Sequence, residues 1–189
     1  MKIFLKILGQ IIALGIVIFL GILLTWEQIP GNKNICDAGQ GLYGLAWLIF
    51  IIISIALFIN SWIFLNKNNW KKYRITVMII CVLIVLISLT LRSVIFQVSY
   101  GKEKHKIENT ENYNQLIEVK LYENGKFYSW TYDMGCQLEN IGTYKLNGNK
   151  ITLEFGNEKS EYLGTEYLIE NDKVVCNKGC DYENELKIE

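Results

Sequence analysis

Few side chains in this sequence could do chemistry. His105 is the only histidine, and it sits between Lys104 and Lys106. A Ser–His–Asp or Cys–His arrangement would need that one imidazole in a fixed pocket, whereas its setting is that of a solvated linker residue. The cysteines are Cys36, Cys81, Cys136, Cys176 and Cys180. The Cys176-x-x-x-Cys180 spacing suits two thiolate ligands, but no second pair at suitable spacing accompanies it and no His pair exists for zinc. No glycine-rich phosphate loop precedes a helix. No set of acid, base and nucleophile can be assembled, so neither catalytic residues, nor a metal, nor a cofactor is expected.

Two further groups have both a functional and a structural reading. Arg92 is the one charge near the interior of an apolar run. It is either a gating or pathway charge, or an interfacial anchor whose long stem snorkels to water, and the anchor is the expectation. Tyr128, Trp130 and Tyr132 alternate along one stretch and could form a binding face. The pairing worked out below instead puts them in a core, because a small sheet needs large side chains to bury enough area.

The elements that must hold these residues follow from the distribution of charge. Formal net charge is zero over 189 residues. Residues 1–99 nevertheless carry eight Lys/Arg against Glu27 and Asp37, while residues 100–189 carry eleven Lys against seventeen Asp/Glu and no Arg. Such an acidic half is unsuited to nucleic acid, whose phosphates demand cations. In the first half no charge interrupts Ile11–Leu24, Leu42–Leu65 or Ile75–Leu91. A membrane span needs about 20 mainly apolar residues. Three spans are expected, near 5–26, 41–65 and 74–97, the third continuing through Arg92 into Val94-Ile95-Phe96. The first is an anchor and not a cleaved leader, since no small-x-small site ends it. Gly9, Gly15 and Gly21 leave notches for another helix, either in the same bundle or in a second copy of the chain.

Orientation rests on the excess of cations on the cytoplasmic side. With the N-terminus inside, Lys2, Lys6, Lys67, Lys71, Lys72 and Arg74 lie in the cytoplasm, against Lys33, Lys102, Lys104 and Lys106 outside. Cys36, Cys136, Cys176 and Cys180 then share the outer side, where an oxidising compartment could join them as two disulfides in any of three connectivities. The abundance of Ile, Lys and Asn suggests an AT-rich bacterial genome, hence a bacterial inner membrane with the C-terminal part periplasmic or extracellular.

After a polar juxtamembrane linker at 101–114, the pattern turns to alternation, and residues 115–189 read as an antiparallel β domain. Ile117, Val119 and Leu121 precede Asn124-Gly125, a strong hairpin signal. With those two residues as the loop, Leu121 faces Tyr128, Val119 faces Trp130 and Ile117 faces Tyr132. In the next hairpin an Asn147-Gly148 loop would oppose Lys145 and Lys150. A Gly148-Asn149 loop avoids this, pairing Leu146 with Ile151, Tyr144 with Leu153 and Gly142 with Phe155. A turn at Asn171-Asp172 pairs Ile169 with Val174, and Leu186 and Ile188 add a last edge strand. The total is six or seven strands, too few for an eight-stranded barrel.

The runs Leu121-Tyr-Glu-Asn-Gly-Lys-Phe127 and Gly142-Thr-Tyr-Lys-Leu-Asn-Gly-Asn-Lys-Ile-Thr-Leu153 resemble the lipocalin-like β modules of Bacteroidetes envelope proteins. The match covers about a third of the chain and consists mainly of turn chemistry. It implies an up-and-down sheet and no particular activity. The opening Gly-x-Trp strand of such modules is absent, which implies a partial barrel or sheet and no ligand cavity. The expected protein is a three-helix membrane anchor displaying a non-enzymatic binding module for envelope sensing or protection, with the bilayer and a protein or small ligand as partners. The alternative is a membrane effector or pore whose β domain lies in the cytoplasm and senses a small ligand, as in anti-phage defence.

Overall fold

The computed structural model describes residues 2–36, 38–65, 71–109, 115–133, 135–170, 173–179 and 186–188. These fall into two compact units. One comprises the apolar helices and the other a β-barrel with the segments packed on it.

The helices are α1 (Lys2–Trp26), α2 (Ala38–Ile63) and α3 (Lys71–Ile95), each end within three residues of the expected bounds. All three are long and apolar enough to cross a membrane. In the helical unit, Val17, Leu24, Phe50, Leu57, Val77 and Cys81 are buried together. Of the expected notches, Gly21 is filled: a Cβ there would come within 2.3 Å of Ile84, whereas Gly9 and Gly15 have nothing within 4 Å. Thr25 and Ser88 hydroxyls meet at 3.1 Å, and Gln28 Nε2 donates to Tyr43 Oη at 3.0 Å.

The strands are β1 (Asn34–Cys36), β2 (Glu103–Asn109), β3 (Gln115–Tyr122), β4 (Lys126–Asp133), β5 (Cys136–Asn147), β6 (Lys150–Phe155), β7 (Glu166–Glu170), β8 (Lys173–Lys178) and β9 (Leu186–Ile188). Antiparallel pairing runs β5-β4-β3-β2-β9-β8-β7-β6 and returns to β5, closing an eight-stranded barrel. The twelve-residue β5 makes closure possible. It pairs with β4 over Cys136–Thr143 and with β6 over Gly142–Asn147, and it also receives β1 over Cys136–Leu138.

The closed barrel overturns several expectations. The segment read as a linker contains β2, which pairs with both β3 and β9. Its outward residues are nearly all charged and Ile107 is its one fully buried side chain, so its alternation is weak. Strand β9 is not an edge. It sits between β2 and β8 and shuts the ring.

The first hairpin also differs. Its register pairs Leu121 with Phe127, Val119 with Ser129 and Ile117 with Thr131. The loop therefore has three residues, Glu123-Asn124-Gly125, with Gly125 at φ 78° accepting the left-handed conformation that a bulged three-residue loop requires. One extra loop residue reverses the facing of the whole strand. Phe127, Ser129 and Thr131 point inward and are buried, while Tyr128, Trp130 and Tyr132 stand on the outer wall opposite Lys120, Glu118 and Leu116. The expectation that these three aromatics form the core is thus corrected.

The Gly148-Asn149 hairpin has the expected register, with Gly142 opposite Phe155. Gly142 cannot carry a side chain: a Cβ would lie 2.0 Å from Glu154 O and 2.7 Å from the Phe127 ring. Phe127 meets Phe155 edge-on at 5.3 Å and, with Ile117, Val119, Leu121 and Ile151, fills the barrel. The pairing of Ile169 with Val174 is likewise as expected, while residues 171 and 172 lie outside the described ones.

Candidate functional site

The polar group that sequence reasoning missed is Glu139. It stands on the outer face of β5 opposite Trp130, yet its side chain is 0% exposed. Burying a carboxylate costs several kcal/mol unless it is paired and hydrogen-bonded. Here it is both. Arg92 Nη2 approaches Oε1 at 2.7 Å, and Arg92 Nη1 reaches Oε2 at 3.5 Å. The backbone N–H of Gly31 donates to Oε2 at 3.2 Å. The guanidinium also donates to Tyr128 Oη at 2.8 Å and lies over the Phe96 ring, 5.4 Å from its centroid. Burial, and after it the Glu139 charge, push the Tyr128 phenol well above its ordinary pKa, so it stays neutral beside the ion pair.

Two segments cover this patch. The first is the end of α3 and the π turn after it, Phe96–Tyr100, which closes with Gly101 N–H donating to Phe96 O at 3.1 Å. Phe96 packs edge-on against Tyr128 at 4.9 Å, and Tyr100 packs on Tyr122 at 5.0 Å. The second is the strap from Ile29 to Cys36, in the connection between α1 and α2. Its β1 pairs with the start of β5, and a disulfide joins Cys36 to Cys136 at that pairing. Asn157 pins the strap further. Its Nδ2 donates to Gly31 O at 3.2 Å and Glu139 O at 2.9 Å, while its Oδ1 accepts from Ile141 N–H at 3.1 Å.

The arrangement is a positioning device. The Glu139 carboxylate accepts three hydrogen bonds, two from the Arg92 guanidinium and one from the Gly31 amide, which use most of its acceptor capacity. Arg92, expected to reach toward water as an interfacial anchor, has a protein carboxylate as its partner. One signal in the sequence pointed here, since a charge at the end of an apolar run calls for a named partner. Nothing in the local pattern picks out Glu139, 47 residues on, as that partner.

The other candidates are scattered. Cys36 and Cys136 are brought together, Cys176 lies on β8 and is also disulfide-bonded, Cys180 lies outside the described residues, and Cys81 is a buried free thiol. His105 is on β2 opposite Leu121, not in a linker. Trp130 and Tyr132 stack at 6.4 Å on the outer wall, half-buried. Among the described residues no three His, Cys, Asp or Glu side chains are grouped to hold a metal. Comparison with protein-family models, with curated proteins and with solved structures finds no match to this chain.

Proposed function

We propose that this is an integral membrane protein that crosses the bilayer three times and displays its barrel at the exoplasmic face as a non-enzymatic binding or interaction module, serving envelope sensing or protection. The observation that carries this reading is the Cys36–Cys136 disulfide. Three crossings put the α1–α2 connection and everything after α3 on one side, which is what a covalent bond between residue 36 and residue 136 requires. Structural disulfides persist in oxidising compartments, which favours the outside. The cation bias agrees, with Lys67, Lys71, Lys72 and Arg74 flanking the α2–α3 connection and Lys2 and Lys6 preceding α1.

The barrel supports an interaction role over a transport or carrier role. Its interior is filled by side chains such as Phe127, Ile151 and Leu163, all 0% exposed, so recognition falls to its outer surface and loops. The test is a pair of fusions after Glu189. A reporter enzyme that needs an oxidising compartment should be active there, and a fluorescent reporter that matures only in the cytoplasm should stay dark. The reverse result would put the barrel in the cytoplasm and favour the sensor–effector alternative.

A further inference from the structure

The sequence contains two Asn-Gly pairs, Asn124-Gly125 and Asn147-Gly148, each at the tip of a barrel hairpin. Asparagine is among the thermolabile residues, and this pair has a particular chemistry. The amide nitrogen that follows Asn can attack the side-chain Cγ, and a glycine, having no Cβ, leaves that nitrogen open to approach. The reaction asks two things of the structure: a carboxamide free to turn, and an N–H with no acceptor already on it. Exposure does not separate the two sites, since Asn124 and Asn147 are both exposed. Their bonding does.

Asn124 is held at both ends of its carboxamide. Its Nδ2 donates to Ser99 O at 2.9 Å, and its Oδ1 accepts from Lys126 N–H at 3.1 Å. The nucleophile is engaged as well, because Gly125 N–H donates to Tyr122 O at 3.0 Å. The three-residue loop thus fixes both reacting groups. At the other tip, among the described residues, nothing bonds the Asn147 carboxamide and nothing accepts from Gly148 N–H. A Cβ at Gly148 would meet nothing within 4 Å, so the space around that nitrogen is open. Asn147 is the last residue of β5, and Gly148 and Asn149 beyond it are exposed. Turning its backbone to bring Cγ to the nitrogen therefore opens the end of one hairpin and no more.

We propose that Asn147 is a site of spontaneous covalent modification in the folded protein and that Asn124 is protected from the same reaction. Gly148 N bonds to Asn147 Cγ, and the carboxamide nitrogen leaves as ammonia with the proton of the Gly148 amide. The cyclic imide then takes up water at either carbonyl, leaving aspartate or isoaspartate. Aspartate places a carboxylate across the ladder from Lys150, whose Nζ is 2.8 Å from Glu166 Oε2, so two acids then share one cation. Isoaspartate routes the main chain through its side-chain carbon at the pair that closes the hairpin, where spacing sets the register. The inference depends neither on the membrane nor on the side of it that the barrel occupies.

The experiment keeps the full chain in detergent micelles in mildly alkaline buffer, either folded or with the barrel unfolded by guanidinium chloride. Samples taken at intervals are digested, and both Asn-Gly peptides are followed by mass spectrometry, with isoaspartate resolved by chromatography. In the folded chain Asn147 should convert several-fold faster than Asn124. In guanidinium the two rates should converge, since each Asn is followed by Gly. Gly148→Ala should slow conversion at 147 many-fold and leave 124 unchanged. Equal rates in the folded chain, or faster conversion at Asn124, overturn the proposal. So does an Asn147 that converts only when unfolded, and so does a disparity that persists in guanidinium, because the fold would then not be its cause.

Discussion

Removing both members of the Arg92–Glu139 pair should cost well under the sum of removing each alone. With charge centres about 4 Å apart and an effective dielectric near 20, the attraction is about 4 kcal/mol. Arg92 is 29% exposed and partly screened, so a coupling of about 2–3 kcal/mol is expected. The single variants should also be unequal. Arg92→Leu strands a carboxylate that is 0% exposed, with the Gly31 amide and the Tyr128 hydroxyl left beside it but no cation, and should cost about 3–5 kcal/mol. Glu139→Leu leaves a guanidinium that still has Tyr128 and can turn to water, and should cost about 2–3 kcal/mol. The double variant should fall well short of their sum.

The assay is urea unfolding of the full chain in detergent micelles, followed by near-ultraviolet circular dichroism of the barrel. Additive single costs would refute the ion-pair account.

Two further outcomes test the barrel. Phe127→Ala should lower stability by about 3–5 kcal/mol because the ring is 0% exposed, whereas Trp130→Ala on the half-buried outer wall should cost about 1 kcal/mol by the same urea assay. The opposite order would restore the rejected two-residue loop. Gly142→Ala should cost about 3 kcal/mol or more in thermal unfolding, because the new methyl meets backbone at Glu154 and the Phe127 ring, while Gly148→Ala, at φ 63° in open space, should cost about 1 kcal/mol.

How much of this was legible in the sequence depended on whether the deciding signal was local. The apolar helices were, because their composition alone sets them apart. The hairpin at 148–149 and the pairing of Ile169 with Val174 were, because avoiding like charge or matching apolar residues across the strands admits one register. The hairpin at 123–125 was not: Asn124-Gly125 fits a two-residue or a three-residue loop, and only the closed ring favours the second. Strand β2 hid behind its charges, and Lys106 in it is in fact tied to Glu118 on β3 at 3.3 Å. Strand β1 lies in a helix connection and had only Cys36 to betray it. Arg92 drew attention by its position, but Glu139 gave no sign, since a glutamate in a polar strand normally faces water.

The seam of the ring has a consequence for timing. The first and last barrel strands, β2 and β9, close it through Ile107–Ile188 and Asn109–Leu186, about 80 residues apart in the chain. Until Leu186 has been synthesised, β2 and β8 are both open edges, and the interior they should enclose is exposed. Neither local helix formation nor the early hairpins can relieve this, and contacts of such separation form slowly. The nascent domain thus passes through an interval of adhesiveness in which it could pair edge to edge with a neighbouring chain. The three-residue strand that ends that interval is among the last pieces of the barrel to be made.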